Sequence, residues 1–301
     1  EIEPIHCDHS IPGAYGLVIN TSQGAVVYTG DLRMHGPMRE MTWDFVEKAK
    51  EAEPVAMISE GTRVAPKNPY AIHSEAEVKE ESGKVVSKSN KLVIAAFYGR
   101  DIDRFNTFYQ VAKEEDRKFV IPTKLAHLLT KLKKDKKLKI PNIERDENIL
   151  VYKKRKKTVE FEEKDYYKWE RPFLDKAVNF KYIRKNQSKI LFNLDLIGFA
   201  ELIVVKPDGG NFIYSMSEPF SEEDVEYNVM HNWLEHYNLK LHQIHASGHA
   251  PKFALRGIIN LIKPKKLFPI HTEYPELFAK LMKGLGSKIL SVKKGKEYTF
   301  S

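Results

Sequence analysis

The chain has 301 residues, 42% hydrophobic and 11% aromatic, enough for two ordinary globular domains or for one domain carrying a large insertion. Its one cysteine, Cys7, excludes an intramolecular disulfide and a cysteine-rich zinc module, so any metal would be held by histidine and carboxylate. The formal net charge of +8 favours an anionic partner such as nucleic acid, although abundant lysine and glutamate also mark proteins of heat-loving organisms.

The chain opens at Glu1 without a methionine and runs straight into motif-like residues, which reads as a fragment. The runs 15–20 and 25–30 predict strands joined by the turn "TSQG". A helix over 42–52 is expected from the spacing of Trp43, Val46 and Ala49, followed by a buried strand over 55–59. Ser74 and Glu77 form a capping-box pattern ahead of a polar helix. Strands at 91–97 and 118–122 then alternate with helices at 101–115 and 123–135, the pattern of a mainly parallel sheet covered on both faces. The charge runs of 131–168 read as solvated faces in preference to binding sites. Strands at 189–195 and 211–217 lead to a helix that Ser221 is expected to cap. The last third alternates again: a strand ending in "HAS", a helix over 251–262 with Ala254, Ile258, Leu261 and Ile262 on one face, the strand "KLFPIH", a helix over 274–283 and the closing strand "SKILSV". No apolar run approaches the roughly 18 residues that span a bilayer, and no signal peptide opens the chain, which predicts a cytoplasmic protein with no membrane partner.

Polar residues of metal-binding type recur where apolar strands end: His9, Asp31, Glu60, His249 and His271. In open α/β folds, sites gather at such loops because rigid strands hold the loop side chains in place. Singly, each has an ordinary reading as a turn residue, a cap or a half-buried histidine; jointly those readings need the same coincidence five times. "HCDH" at 6–9 looks like half of an H-x-H-x-D-H metal motif. The residue two before His6 is Pro4, however, and the stretch leads into a strand, so His9 reads as a single ligand and His6 as structural.

In this order and spacing, "DHSIPGAYGLVI", "VVYTGDLR", "ISEGTR", "HASGHA" and "PIHTEY" resemble the later motifs of the metallo-β-lactamase superfamily. The resemblance is to its β-CASP branch of nucleases, ribonuclease J-like proteins above all. It implies an α/β fold: a metallo-β-lactamase αββα sandwich, incomplete at the N-terminus, formed by 1–64 and 245–301, with an inserted β-CASP domain over 65–244. It also implies two zinc ions in a complete active site, with His9 on the first, Asp31 bridging both and His271 on the second. Glu60 would orient the metal site and His249 would contact the scissile phosphate and protonate the leaving oxygen. Ser247, Gly248 and Ala250 would line a phosphate pocket with hydroxyl and backbone N–H donors, with His245 touching phosphate or supporting that loop. Arg63, Arg100 and Arg104 are candidate contacts to a single-stranded RNA. Histidine at 271 implies RNA in preference to DNA.

The family's H-x-H-x-D-H motif is nowhere in the chain, and its usual place is upstream of residue 1. The expected function is therefore a zinc-dependent ribonuclease using two-metal hydrolysis, weak or inactive as these residues alone. The alternatives are a non-catalytic RNA-binding or assembly subunit of the same fold, and a metallo-hydrolase of small esters. The oligomeric state, a homodimer included, is left open.

Overall fold

A computed structural model describes residues 1–66, 74–156, 161–217 and 225–299. Ser221 and the greater part of 214–224 fall outside these. The chain divides into two compact units, residues 1–75 with 246–301 and residues 76–245. The expected junctions were at 64/65 and 244/245, so His245 falls to the insert.

The first unit contains β1 (Ile2–His6), β2 (Tyr15–Thr21), β3 (Gly24–Tyr28), α1 (Arg39–Glu51) and β4 (Ala56–Glu60). The insert follows, with α2 (Glu75–Ser87), β5 (Leu92–Ala96), α3 (Ile102–Glu114), β6 (Lys118–Pro122), α4 (Thr123–Leu132), β7 (Ile149–Tyr152), β8 (Ala177–Val178), α5 (Phe180–Lys185), β9 (Ile190–Asn193), α6 (Leu202–Val205), β10 (Gly210–Tyr214), α7 (Val225–His236) and β11 (Leu239–Gln243). The chain then returns through α8 (Lys252–Ile262), β12 (Lys266–Ile270), α9 (Pro275–Met282) and β13 (Lys288–Ile289).

The insert sheet is parallel throughout, in the order β11-β10-β5-β9-β6-β7-β8. All five residues of β5 are buried, as expected of an apolar strand with sheet on either side and helices on both faces. In the first unit the sheet, β1-β2-β3-β4-β12-β13, is antiparallel from β1 to β3, with β2 and β3 paired across the expected "TSQG" turn, and parallel from β3 to β13. One face packs Val18, Val27, Met57 and Leu267 against Phe45 and Val46 of α1, Ile258 and Ile262 of α8 and Phe278 of α9. The other face carries Val26, Ala56 and Phe268, with Ile19 and Ile58 partly buried against them. This is one sheet of the expected sandwich with its helical layer. The inward helix faces hold Val46, Ala49, Ile258 and Ile262 as expected, but not Trp43 or Leu261. In α1, Thr42, Phe45, Val46 and Ala49 are buried while Trp43 is 39% exposed; in α8, Leu255 and Ile259 are buried and Leu261 is 38% exposed.

The loops at one end of this sheet are fastened together by buried polar groups. Arg33, wholly buried, sets Nη2 at 2.9 Å and Nε at 3.0 Å from Asp8 Oδ1. Asp8 N–H donates to the Thr42 hydroxyl, which donates to the Arg33 carbonyl, each at 2.9 Å. A Cβ on Gly36 would lie 2.1 Å from Arg33 Nε and 2.3 Å from Asp8 Oδ2, so only glycine lets the loop close over the pair. Nearby, His35 Nε2–H donates to the Ser247 carbonyl at 2.8 Å, tying the 31–38 loop to the 246–250 loop. Burial pushes the His35 pKa down from 6.5 to about 4, so the ring is neutral at pH 7.

Arg33→Ala, which strands the Asp8 carboxylate in the core, is expected to cost about 3–5 kcal/mol in urea unfolding. Phe45→Ala should cost about 3–5 kcal/mol, against less than about 0.5 kcal/mol for the exposed Trp43→Ala. Because the His35 pKa is lower folded than unfolded, the stability it carries is complete above pH 6.5 and is lost as the pH falls from 6.5 towards about 4. Urea midpoints across that window should fall less steeply for His35→Gln than for the wild type, and equal slopes would refute the linkage.

Candidate metal centre

Three strand ends and one loop supply the site. After β3 the chain turns through Gly30, whose φ is +56° and whose Cβ would lie 2.4 Å from the Tyr15 carbonyl oxygen, and so delivers Asp31. Glu60 closes β4 in the middle of the sheet and is 1% exposed. β4 and β12 run parallel with Glu60 opposite Ile270, which puts His271 at the same end as Glu60. His271 has a φ of +49°, a left-handed conformation that a residue with a Cβ keeps only where its surroundings impose it.

The Glu60 carboxylate joins these pieces. One oxygen accepts the Leu32 N–H at 3.1 Å, directly after Asp31, and the other accepts His249 Nδ1–H at 2.9 Å. Asp31 Oδ1 lies 3.0 Å from His271 Nδ1, with the Thr62 hydroxyl 3.3 Å from the same nitrogen. Asp31, Glu60, His249 and His271 each offer a ligand-type atom, and all four atoms lie within 4.8 Å of one another.

His9 extends the cluster. Its ring centroid is 5.0 Å from that of His249, which is 5.5 Å from that of His271, so three imidazoles form a row with His249 in the middle. His9 Nδ1–H donates to the Gly248 carbonyl at 2.6 Å, leaving the Nε2 lone pair as the donor atom of the neutral ring. Burial lowers the His9 pKa, which favours the neutral form a metal requires. A Cβ on Gly248 would lie 2.6 Å from Ser10 Oγ and 2.9 Å from His9 Cε1, so glycine there allows the two loops to meet. For His249, burial opposes protonation, but the Glu60 and Asp31 carboxylates outweigh it and the pKa stands above the ordinary histidine value. Imidazole nitrogens beside carboxylate oxygens are a donor set that suits zinc, and the tight grouping fits a shared ion.

Other expected residues behave differently. Ala250 is 2% exposed and its N–H is given to the Leu32 carbonyl at 2.7 Å, so it fastens the loop and is not a phosphate donor. Ser247 is buried; its hydroxyl oxygen accepts the His249 N–H at 3.2 Å. Arg104 is wholly buried in the insert, with Nη1 2.9 Å from the Ser215 carbonyl and 3.1 Å from His245 Nδ1. His245 is itself buried, so the phosphate contact expected of Arg104, and offered for His245 beside a supporting role, is corrected: both belong to the insert's interior. Arg63 is half-buried and its charge is felt at His249 and His35, whereas Arg100 is exposed in the insert. His6 packs on Tyr15 with ring centroids 4.2 Å apart. Sequence reading missed His35 and Thr62. Their partners lie more than two hundred residues away, and no local pattern signals them.

Residues 236–292 match the Zn-dependent metallo-hydrolase RNA specificity domain. The chain is 26% identical over 279 residues to ribonuclease J 2 of Streptococcus pyogenes, covering 90% of this chain and 47% of that protein. It is 25% identical to ribonuclease J2 of Bacillus subtilis and 26% identical to ribonuclease J of Thermus thermophilus, in each case over 88% of this chain, and over 45% and 44% of theirs. The chain thus spans about half the length of the curated relatives it matches. A crystal structure of a protein of unknown function from Enterococcus faecalis V583 shares the fold, with a TM-score of 0.74 at 22% identity over 98% of this chain and 63% of that one. No helix among the described residues is long and apolar enough to cross a membrane. With the motifs at their expected strand ends, these matches support the resemblance of the chain to the β-CASP, ribonuclease J-like metallo-hydrolases.

Proposed function

We propose that these residues carry the bridging, second-metal and phosphate-facing part of a zinc-dependent ribonuclease that hydrolyses single-stranded RNA. The grouping of Asp31, Glu60, His249 and His271 within 4.8 Å carries the reading. Asp31 and His271 would hold a metal, with Asp31 shared between two ions and His9 on the first. Bound zinc supplies activation of water and neutralisation of charge on phosphate. Glu60 is a positioning residue: by taking His249 Nδ1–H it leaves Nε2 of that ring to face the scissile phosphate and give a proton to the departing oxygen. The Gly248 turn and Arg63 would receive the neighbouring phosphates.

The donor set also limits what the isolated chain can do. Zinc is typically held by about four ligands, and Asp31, His9 and His271 cannot complete two such sites. The remaining donors would come from an H-x-H-x-D-H motif upstream of Glu1. The products would carry a 5′-phosphate and a 3′-hydroxyl, whether cleavage is internal or proceeds from the 5′ end.

In calorimetric titration the 301-residue chain should bind zinc. Asp31→Asn and His271→Ala should each abolish measurable binding, and Glu60→Gln should weaken it roughly 10- to 100-fold. Unchanged affinity in both ligand variants would remove the metal assignment. The chain alone should cleave labelled RNA weakly or not at all, and the upstream-extended protein should cleave it in a chelator-sensitive way. An extended protein that binds RNA without zinc or cleavage would instead be a non-catalytic binding subunit.

A further inference from the structure

The insert holds a surface that the metal cluster does not use. Between β7 and β8, in the charge-rich stretch, Tyr167 and Trp169 stand 67% and 37% exposed. Their rings are 11° from parallel with centroids 6.1 Å apart, an offset stack that spreads into one broad aromatic floor. The floor is braced from below. His127 of α4 lies against Trp169 at 5.3 Å. Glu170, 5% exposed, accepts the Tyr167 N–H at 3.1 Å and the Thr123 hydroxyl at 2.9 Å, and pairs with Lys156. Lys156 Nζ in turn sits 4.5 Å from the Tyr167 ring centroid and 5.0 Å from that of Tyr166.

Folding gains from burying aromatic rings, so a pair held rigidly in the open asks for another occupant. The exposed charges of the same stretch are mainly basic, Lys154, Arg155, Lys164 and Lys168 against Glu163, with Lys164 paired to Glu162 and Lys154 3.9 Å from Glu201. A strand whose repeating unit couples a flat π face to a negative charge matches both halves of this surface, while an apolar protein patch matches only the rings.

We propose that Tyr167 and Trp169 form a base-stacking platform for a single-stranded nucleic acid, with Lys154, Arg155 and Lys168 meeting its phosphates. That the strand is RNA rests on the function proposed above; the platform residues all belong to the second unit and the metal cluster to the first. Because Glu170 and His127 hold the rings in place before the strand arrives, little conformational freedom is lost on binding.

The test measures fluorescence anisotropy of a fluorescein-labelled, uridine-rich single-stranded RNA with the 301-residue chain at low salt, beside an abasic strand of the same backbone. The double variant Tyr167→Ala, Trp169→Ala is expected to weaken RNA binding roughly tenfold or more and to leave abasic binding unchanged, and phenylalanine at both positions should restore affinity. Wild-type affinity in the alanine variant would overturn the platform and leave the nuclease reading standing. No binding of single-stranded RNA by the wild type would overturn both. A second measurement avoids truncation: with Trp43 and Trp233 replaced by phenylalanine, Trp169 remains of the chain's three tryptophans. Its emission should be quenched by the RNA and not by the abasic strand, and unchanged emission at saturating RNA would overturn the proposal.

Discussion

Glu60 ends a strand in the middle of the first sheet with both carboxylate oxygens engaged, one on the Leu32 N–H and one on His249 Nδ1. A buried carboxylate is tolerated only when its lone pairs are met, and here meeting them aligns two chain segments more than two hundred residues apart. Asp31 is delivered beside Leu32 and His249 beside the Gly248 turn. His271 enters from the neighbouring strand, whose register with β4 is set by the sheet. The site is thus referenced to the most rigid part of the unit, while its ligands sit on loops.

Those loops would wander without the second layer of ties. The Asp8–Arg33 pair with Thr42, the His35–Ser247 contact and the His9–Gly248 contact bind the 7–12, 30–38 and 246–250 loops to one another. Two glycines without room for a Cβ, Gly36 and Gly248, let them approach that closely. A left-handed backbone aims Asp31 and His271, without steric cost at Gly30 and with strain at His271. Placing a metal on such a frame costs little reorganisation, which is the advantage of a prearranged site.

Much of this was legible in the chain. Apolar strands followed at once by Asp31, Glu60 or His271 announce residues presented at a sheet end, and strand-helix alternation announces the parallel insert. What escaped was set by contacts distant in sequence or by which side of a helix faces inward. Arg104 looked like a free cation at a helix start, but it lies on the same buried face as Phe105 and Phe108 and spends its guanidinium on Ser215 and His245. The backbone N–H of Ala250 looked available until the Leu32 carbonyl appeared across from it. β7 was hidden because its four residues lie in a stretch whose charge masks a short apolar run.

The most direct test of the central claim, that Asp31 and His271 converge to hold a metal, is anomalous diffraction at the zinc edge from crystals of this chain grown with zinc. A peak within bonding distance of an Asp31 carboxylate oxygen and a His271 ring nitrogen, lost in Asp31→Asn crystals, is the predicted result. Zinc found only at other surface histidines, with the Asp31–His271 pair unchanged and metal-free at saturating zinc, would contradict it.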